Sequence, residues 1–242
     1  MTQRALATRW RATGPYVPNN ASKAGLLEET RHYLLTYADL GDRTATRQAL
    51  VNGGLPQRAR ETRMTIVEVI QRRLTRWEPP PWVLADLVTF AQDAYQPSLA
   101  AALLLHVVRQ DRLLAAVMHQ VIGPRWRSGE HTLVRADVQQ FLDHAQAEHP
   151  EIRRWSHATR EKLAGNVLSI LRDYGLLRGR EIRHIVEPVV PPAVVAHLAQ
   201  LLHAEAIAVP EIPTHPDWQL WLWEPRQARD ALALQTIPYH PL

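Results

Sequence analysis

A chain of 242 residues has room for one large domain or two modest ones, and a hydrophobic content of 46% is enough for a packed core. There is no cysteine, which excludes disulfides, thiolate nucleophiles and cysteine-based zinc sites. The formal net charge is +4, carried by 28 Lys and Arg of which only Lys23 and Lys162 are Lys. Arginine grips phosphate in a bidentate way, which suits nucleic acid. A GC-rich coding sequence explains the same bias equally well.

Residues 1–20 lack an apolar run and hold Gly14-Pro15 and Pro18-Asn19-Asn20, so no secretory signal is expected and the stretch reads as a flexible or loosely docked arm. Ser22 is placed to cap a helix over 23–38, with Leu26, Leu27, Leu34, Leu35 and Ala38 on its apolar face. A short helix over 44–51 stops at Asn52-Gly53-Gly54. The helix over 57–77 buries Met64, Val67, Ile70, Leu74 and Trp77 among many arginines. Most of these arginines read as partners for Glu61, Glu68 and Glu78; Arg58 and Arg60, at its start, read as a basic surface. Pro79-Pro80-Pro81 breaks the chain before a helix over 82–93.

Pro97 opens a long helical region to Ile122, with a break expected near Gln110. Its apolar stretch over 99–105, extended by Val107 and Val108, is far short of the roughly 20 residues a spanning helix needs, so a soluble, cytoplasmic protein is expected. Gly123-Pro124 reads as a stop and 125–129 as a linker. A short strand over 132–134 and a helix over 135–148 follow, then a turn from Pro150 to Trp155. After a helix over 156–174, Gly175 leads into a β-rich stretch over 176–190 with Ile182, Ile185 and Val186. Pro191-Pro192 opens a helix to Ala204. The tail is Pro-punctuated, with a helix at 225–234. Its Trp218, Trp221 and Trp223 read as anchors onto the main body rather than as base-stacking groups.

The helix over 157–174 is the most informative element. At 100° per residue, Leu163, Val167, Ile170, Leu171 and Tyr174 share one stripe. The opposite face carries Glu161, Lys162, Gly165, Ser169 and Arg172, with Asn166 on its flank. A glycine on an outer helix face implies close approach, either by a sugar-phosphate strand or by another helix. Ser156 is an N-cap, and Thr159 lies in the first turn, where helix N–H groups favour anions. Arg153 and Arg154 precede the helix; Arg178, Arg180 and Arg183 decorate the hairpin that follows. Residues 151–184 carry a net +4, equal to the charge of the whole chain. Helix followed by basic hairpin is the order of a winged helix-turn-helix. Arg153, Arg154, Ser156, Thr159, Lys162, Asn166, Ser169, Arg172, Arg178, Arg180 and Arg183, with Arg58 and Arg60, are therefore the candidate DNA contacts.

Other chemistry is missing. No Gly-rich phosphate loop, nucleophile elbow or dinucleotide fingerprint occurs. The 12 histidines form no HExxH or clustered pattern, and no metal, cofactor, small-molecule substrate or catalytic residue is expected.

A further ordered set spans the chain. Ala24-Gly25-Leu26-Leu27-Glu28-Glu29-Thr30 is followed by Leu50-Val51-Asn52, by Leu55-Pro56-Gln57-Arg58, and by a helix with Ile66, Ile70, Arg73 and Leu74. Later come Trp155-Ser156, Thr159, Lys162-Leu163 and the stretch 171–177. Over residues 20–200 this set resembles the BrxA family of the bacteriophage exclusion (BREX) defence systems. The resemblance implies a non-enzymatic, cytoplasmic accessory protein linked to DNA binding, with no membrane span. It also implies a mainly α architecture, a NusB-like helical bundle joined to a winged helix-turn-helix unit with a small β-hairpin. The divisions expected are an arm over 1–20, a helical domain over 21–128, a winged unit over 129–190 and a Pro/Trp-rich helical extension over 191–242. The partners expected are double-stranded DNA, bound with little sequence preference, and other defence-system proteins. Two alternatives stand beside this: a protein-interaction scaffold, and RNA binding through the helical bundle.

Overall fold

The computed structural model describes residues 10–21, 23–93 and 97–235. The expected cap Ser22 and residues 1–9 of the expected arm lie outside these. The chain is mainly helical with one small sheet. In chain order the helices are α1 (Leu27–Leu40), α2 (Arg43–Ala49), α3 (Arg60–Leu74), α4 (Pro81–Gln92), α5 (Pro97–Arg109), α6 (Arg112–Val117), α7 (Gly123–Ser128), α8 (Arg135–Ala145), α9 (His157–Asp173), α10 (Pro192–Ala204) and α11 (Pro225–Ala233). The strands are β1 (Thr132–Leu133), β2 (Leu177–Arg178) and β3 (Arg183–Ile185).

Helix α5 is the centre of the first part. Its residues from Ser98 to Arg109 are almost all buried, as expected of a helix apolar all round. Helices α1, α3, α4 and α10 pack around it. Asp42 and Asp111 cap α2 and α6 by accepting from the N–H groups of Ala45 and Leu114. Among the described residues no helix is long and apolar enough to cross a membrane.

Gly123-Pro124 does not stop the chain. A wide turn over Met118–Ile122 gives way directly to α7, and Gly123 N–H reaches back five residues to the Met118 carbonyl. That wider turn relieves the clash a proline ring makes with the carbonyl before it, and Pro124, in the first turn of α7, needs no N–H there. The expected linker 125–129 is therefore helical to Ser128, with Gly129 in the left-handed region closing it.

Residues 10–21 are docked rather than loose. Tyr16 and Asn20 are buried, Trp10 meets Trp77 edge-on at 6.4 Å, and Ala12 N–H donates to the Arg109 carbonyl. The C-terminal tryptophans anchor the tail, as expected. Trp218 and Trp221 are buried, and Trp221 Nε1 donates to the Ala101 carbonyl of α5 at 3.1 Å. Core residues from Tyr16 to Ala228 form one continuous apolar cluster.

The sheet is antiparallel with order β1-β3-β2; Leu133 faces Arg183, and Arg178 faces His184. Gly179 turns the hairpin at φ +97°, and a Cβ there would lie 2.3 Å from the Ile182 carbonyl oxygen, so only glycine fits.

Candidate nucleic-acid interface

Helix α9 is positioned from three sides. Its apolar stripe (Leu163, Val167, Ile170, Leu171 and Tyr174) is buried as predicted, and Ala164 and Leu168 are buried with it. Arg160 pairs with Asp143 of α8 at 3.1 Å, and Arg125 of α7 pairs with Asp137 in the first turn of α8 at 2.7 Å. At its C-terminal end, Tyr174 Oη donates to the Gly25 carbonyl while Asp173 accepts from Gly25 N–H. A Cβ on Gly25 would lie 2.6 Å from Asp173, so this backbone approach needs glycine.

The outer face of α9 stays open in its N-terminal half. Arg153, Arg154, Ser156, Glu161 and Lys162 are exposed, and so are Arg178 and Arg180 on the hairpin. Other candidate side chains are engaged within the chain. Ser156 Oγ accepts from Thr159 N–H at 3.1 Å and meets Thr159 Oγ1 at 2.9 Å, so both hydroxyls belong to the helix cap. Ser169 Oγ, half-buried, donates to the Gly165 carbonyl. Arg172 is half-exposed and bonded to its neighbour Asp173 at 2.9 Å. Arg58 and Arg60 are exposed at the head of α3, which packs mainly on α1, α5 and the 50–54 turn rather than on the sheet.

Asn166, half-buried, is also engaged: its Nδ2 donates to the Asn20 carbonyl at 2.8 Å and ties the Asn19–Ala21 turn to the flank of α9. One expectation is corrected. Arg183 does not decorate the outside of the hairpin. It is 6% exposed and lies on the same side of β3 as buried Leu133 and Ile185, because alternate residues of a strand face alternate sides.

The reason for Gly165 is also different from either expectation. Neither a helix nor an open gap lies over it; the Arg135 guanidinium does, and a Cβ would meet Arg135 Nε at 3.5 Å, an ordinary contact. Gly165→Ala should therefore raise stability by about 0.5–1 kcal/mol through helix propensity alone. A thermal melt checks this, and a lower Tm would mean that the helix needs the bare backbone for a tighter internal fit. Arg135 itself was missed by sequence reasoning. The available signal was its place as the first helical residue after a strand that pairs with the basic hairpin.

A second cluster looks catalytic in outline. His197 Nδ1 meets Asp86 Oδ2 at 2.7 Å and His197 Nε2 meets His106 Nε2 at 2.8 Å. Both rings are 1% exposed, walled by Trp77, Trp82 and Phe90. Burial, with His197 and Arg109 nearby, pushes His106 well below the usual histidine range, so it is neutral. Asp86 accepts from His197 Nδ1–H, and the two Nε2 atoms share one hydrogen bond between the rings. The two rings are sealed from any substrate; only Asp86 at the end of the chain reaches solvent, and the bonds join α4, α5 and α10. Among the described residues no group of three or more His, Asp or Glu is arranged to hold a metal.

Taken together, the fold and this surface define a mainly helical protein that presents a basic helix and hairpin at one face. The chain belongs to the BrxA family, whose model matches residues 15–201. Membership supports a role in bacteriophage-exclusion (BREX) defence. No curated protein matches it in sequence. Its fold is similar to the crystal structure of an uncharacterized protein from Magnetospirillum magneticum, with a TM-score of 0.65 over 79% of this chain and 96% of that one, at 18% identity.

Proposed function

We propose that this chain is a non-enzymatic accessory protein of a BREX system that binds double-stranded DNA through phosphate contacts, with little sequence preference. The observation that carries this reading is the open face of α9, with Lys162 at its centre, beside a hairpin bearing exposed Arg178 and Arg180. The order α7-β1-α8-α9-β2-β3 and the sheet order β1-β3-β2 support a winged helix-turn-helix, in which α9 is the recognition helix and β2–β3 the wing. The helices packed around α5 are read as the NusB-like part by analogy of fold. Arg153 and Arg154 extend the basic face upstream of α9.

The test is a titration of labelled duplex DNA across a salt series. With about four phosphate contacts, affinity should fall roughly 100-fold between 50 and 200 mM salt. The triple variant Lys162→Ala, Arg178→Ala, Arg180→Ala should bind more weakly at every salt and flatten the log–log slope by about 3. An unchanged slope in that variant, or no complex at 50 mM salt, would sink the reading.

A second reading, a scaffold that docks another defence component, is favoured by apolar groups around the hairpin. Ile182 and Val189 are 58% and 59% exposed. It expects a protein partner on purification and no duplex complex in the same titration.

A further inference from the structure

Arg183 presents a physical problem. Its side chain is buried on the inner side of the sheet, its Nε is inaccessible and has no hydrogen-bond partner, and its one side-chain bond is from Nη1 to the Glu181 carbonyl at 3.3 Å. No carboxylate pairs with it among the described residues. A buried charge is normally paired, because desolvation otherwise costs more than packing returns.

Two more arginines converge on the same place. Leu133 is the β1 partner of Arg183, and two residues later Arg135 starts α8 and lays its guanidinium over Gly165 of α9. Arg135 makes no hydrogen bond or ion pair among the described residues. Arg172, two turns beyond Gly165, bonds its neighbour Asp173 through Nε and Nη2, which leaves Nη1 available. After burial itself, the charges of Arg172 and Arg135 push the Arg183 guanidinium below its usual range, which places all three near one another.

We propose that Arg135, Arg172 and Arg183 form a seat for one phosphate group beside Gly165. A tetrahedral oxyanion there would accept from the outer guanidinium nitrogens of the three arginines and supply the missing counter-charge. The phosphate is either a phosphodiester of duplex DNA, which rests on the reading of the preceding section, or a free phosphate ion, which does not.

Thermal unfolding in sodium phosphate against sodium chloride, at matched ionic strength, tests the seat without DNA. The full chain should gain about 3–5 °C in phosphate at tenfold excess over Kd. Arg135→Ala, an exposed substitution, should lose most of that gain. Arg183→Leu should melt higher than the parent in chloride, since it removes an unpaired buried charge, yet show only the smaller phosphate gain left in Arg135→Ala. Phosphate also stabilises proteins by exclusion from their surface, but that effect would be equal in all three. Equal gains in parent and Arg135→Ala would overturn the seat.

Duplex titration of Arg135→Ala then separates the sources. Weaker binding, with a shallower salt slope, assigns the seat to the DNA backbone. A lost phosphate gain in a chain that binds no duplex keeps the seat, assigns it to free phosphate and rejects the DNA reading. Unchanged duplex binding together with an unchanged phosphate gain rejects the seat and leaves the DNA reading to Lys162, Arg178 and Arg180.

Discussion

Arg109→Met is expected to cost the fold about 3–5 kcal/mol, because it strips the counter-charge from two buried carboxylates at once. Arg109 closes α5 and bonds both Glu205 and Asp217, and all three side chains are nearly inaccessible. Arg11, one-third exposed, reaches the same pair, at 2.8 Å to Asp217 and 3.3 Å to Glu205. The cluster therefore joins the N-terminal segment, the central helix, the end of α10 and the tryptophan-bearing turn at Pro216–Trp221. Without Arg109, two carboxylates share one partly solvated guanidinium. A loss of this size should lower Tm by about 10 °C.

The pH dependence sharpens the test. Burial pushes the Asp217 carboxyl up, but Arg109 and Arg11 outweigh it and hold it at about 2. A depressed carboxyl stabilises the fold fully above its unfolded value near 3.8, and that contribution is lost only as pH falls from 3.8 through about 2. In Arg109→Met the larger of the two attractions is gone and the carboxyl titrates higher. The variant should then recover ground on the parent as pH drops toward 4, where a proton neutralises the stranded charge. Urea melts at pH 7 and pH 4 measure this. A gap that is the same at both values, or a loss below 1 kcal/mol at pH 7, would mean that water already shields the cluster.

How much of this was legible in sequence depends on the range of the interaction. The α9 stripe was legible because 3.6-residue periodicity is local, and so was the hairpin, because Gly175 and the residues after it break that periodicity. The direction of Arg183 was partly legible and was misread. Ile182 and Ile185 cannot both point inward in a regular strand, since they are three apart. Taking Ile185 as inward forces Arg183 inward and Ile182 out, which is what the fold shows. Composition argued the reverse, that arginine is outside, and composition loses to register here. The bond from Asn166 to Asn20 spans 146 positions and the His106–His197 bond spans 91; neither leaves a local pattern. Gly123-Pro124 misled for another reason. A proline is a stop only where its N–H is needed, and a first-turn position does not need it.

Arg73→Met should be as damaging as Arg109→Met, about 3–5 kcal/mol, and should also change how α9 is held. Arg73 of α3 is 4% exposed; its Nη1 donates to the Gly25 carbonyl at 2.8 Å, and its Nη2 to Asn20 Oδ1 at 2.8 Å and the Ala24 carbonyl at 2.9 Å. Asn20 in turn donates to Asp111 at 2.8 Å. Burial pushes the Asp111 carboxyl up; the Leu114 N–H and the Arg73 charge oppose that. Removing Arg73 leaves the Asn20 Oδ1 and Ala24 carbonyl oxygens without their donor, the Gly25 carbonyl with Tyr174 alone, and Asp111 with only the weaker attraction of Arg72. The same segment supports α9, through the Asn20 carbonyl under Asn166 and through Gly25 under Asp173 and Tyr174. Amide exchange over residues 165–174 should therefore rise with the global loss subtracted, whereas exchange in α4, which makes none of these bonds, should follow the global loss alone. Asn166→Ala, which breaks one of the bonds, should cost about 1 kcal/mol and raise exchange only near Asn166. If exchange in α9 and α4 rises equally in Arg73→Met, the Asn20–Gly25 segment is not what fixes the helix. The outer face of α9 would then owe its position to α8 and the sheet alone.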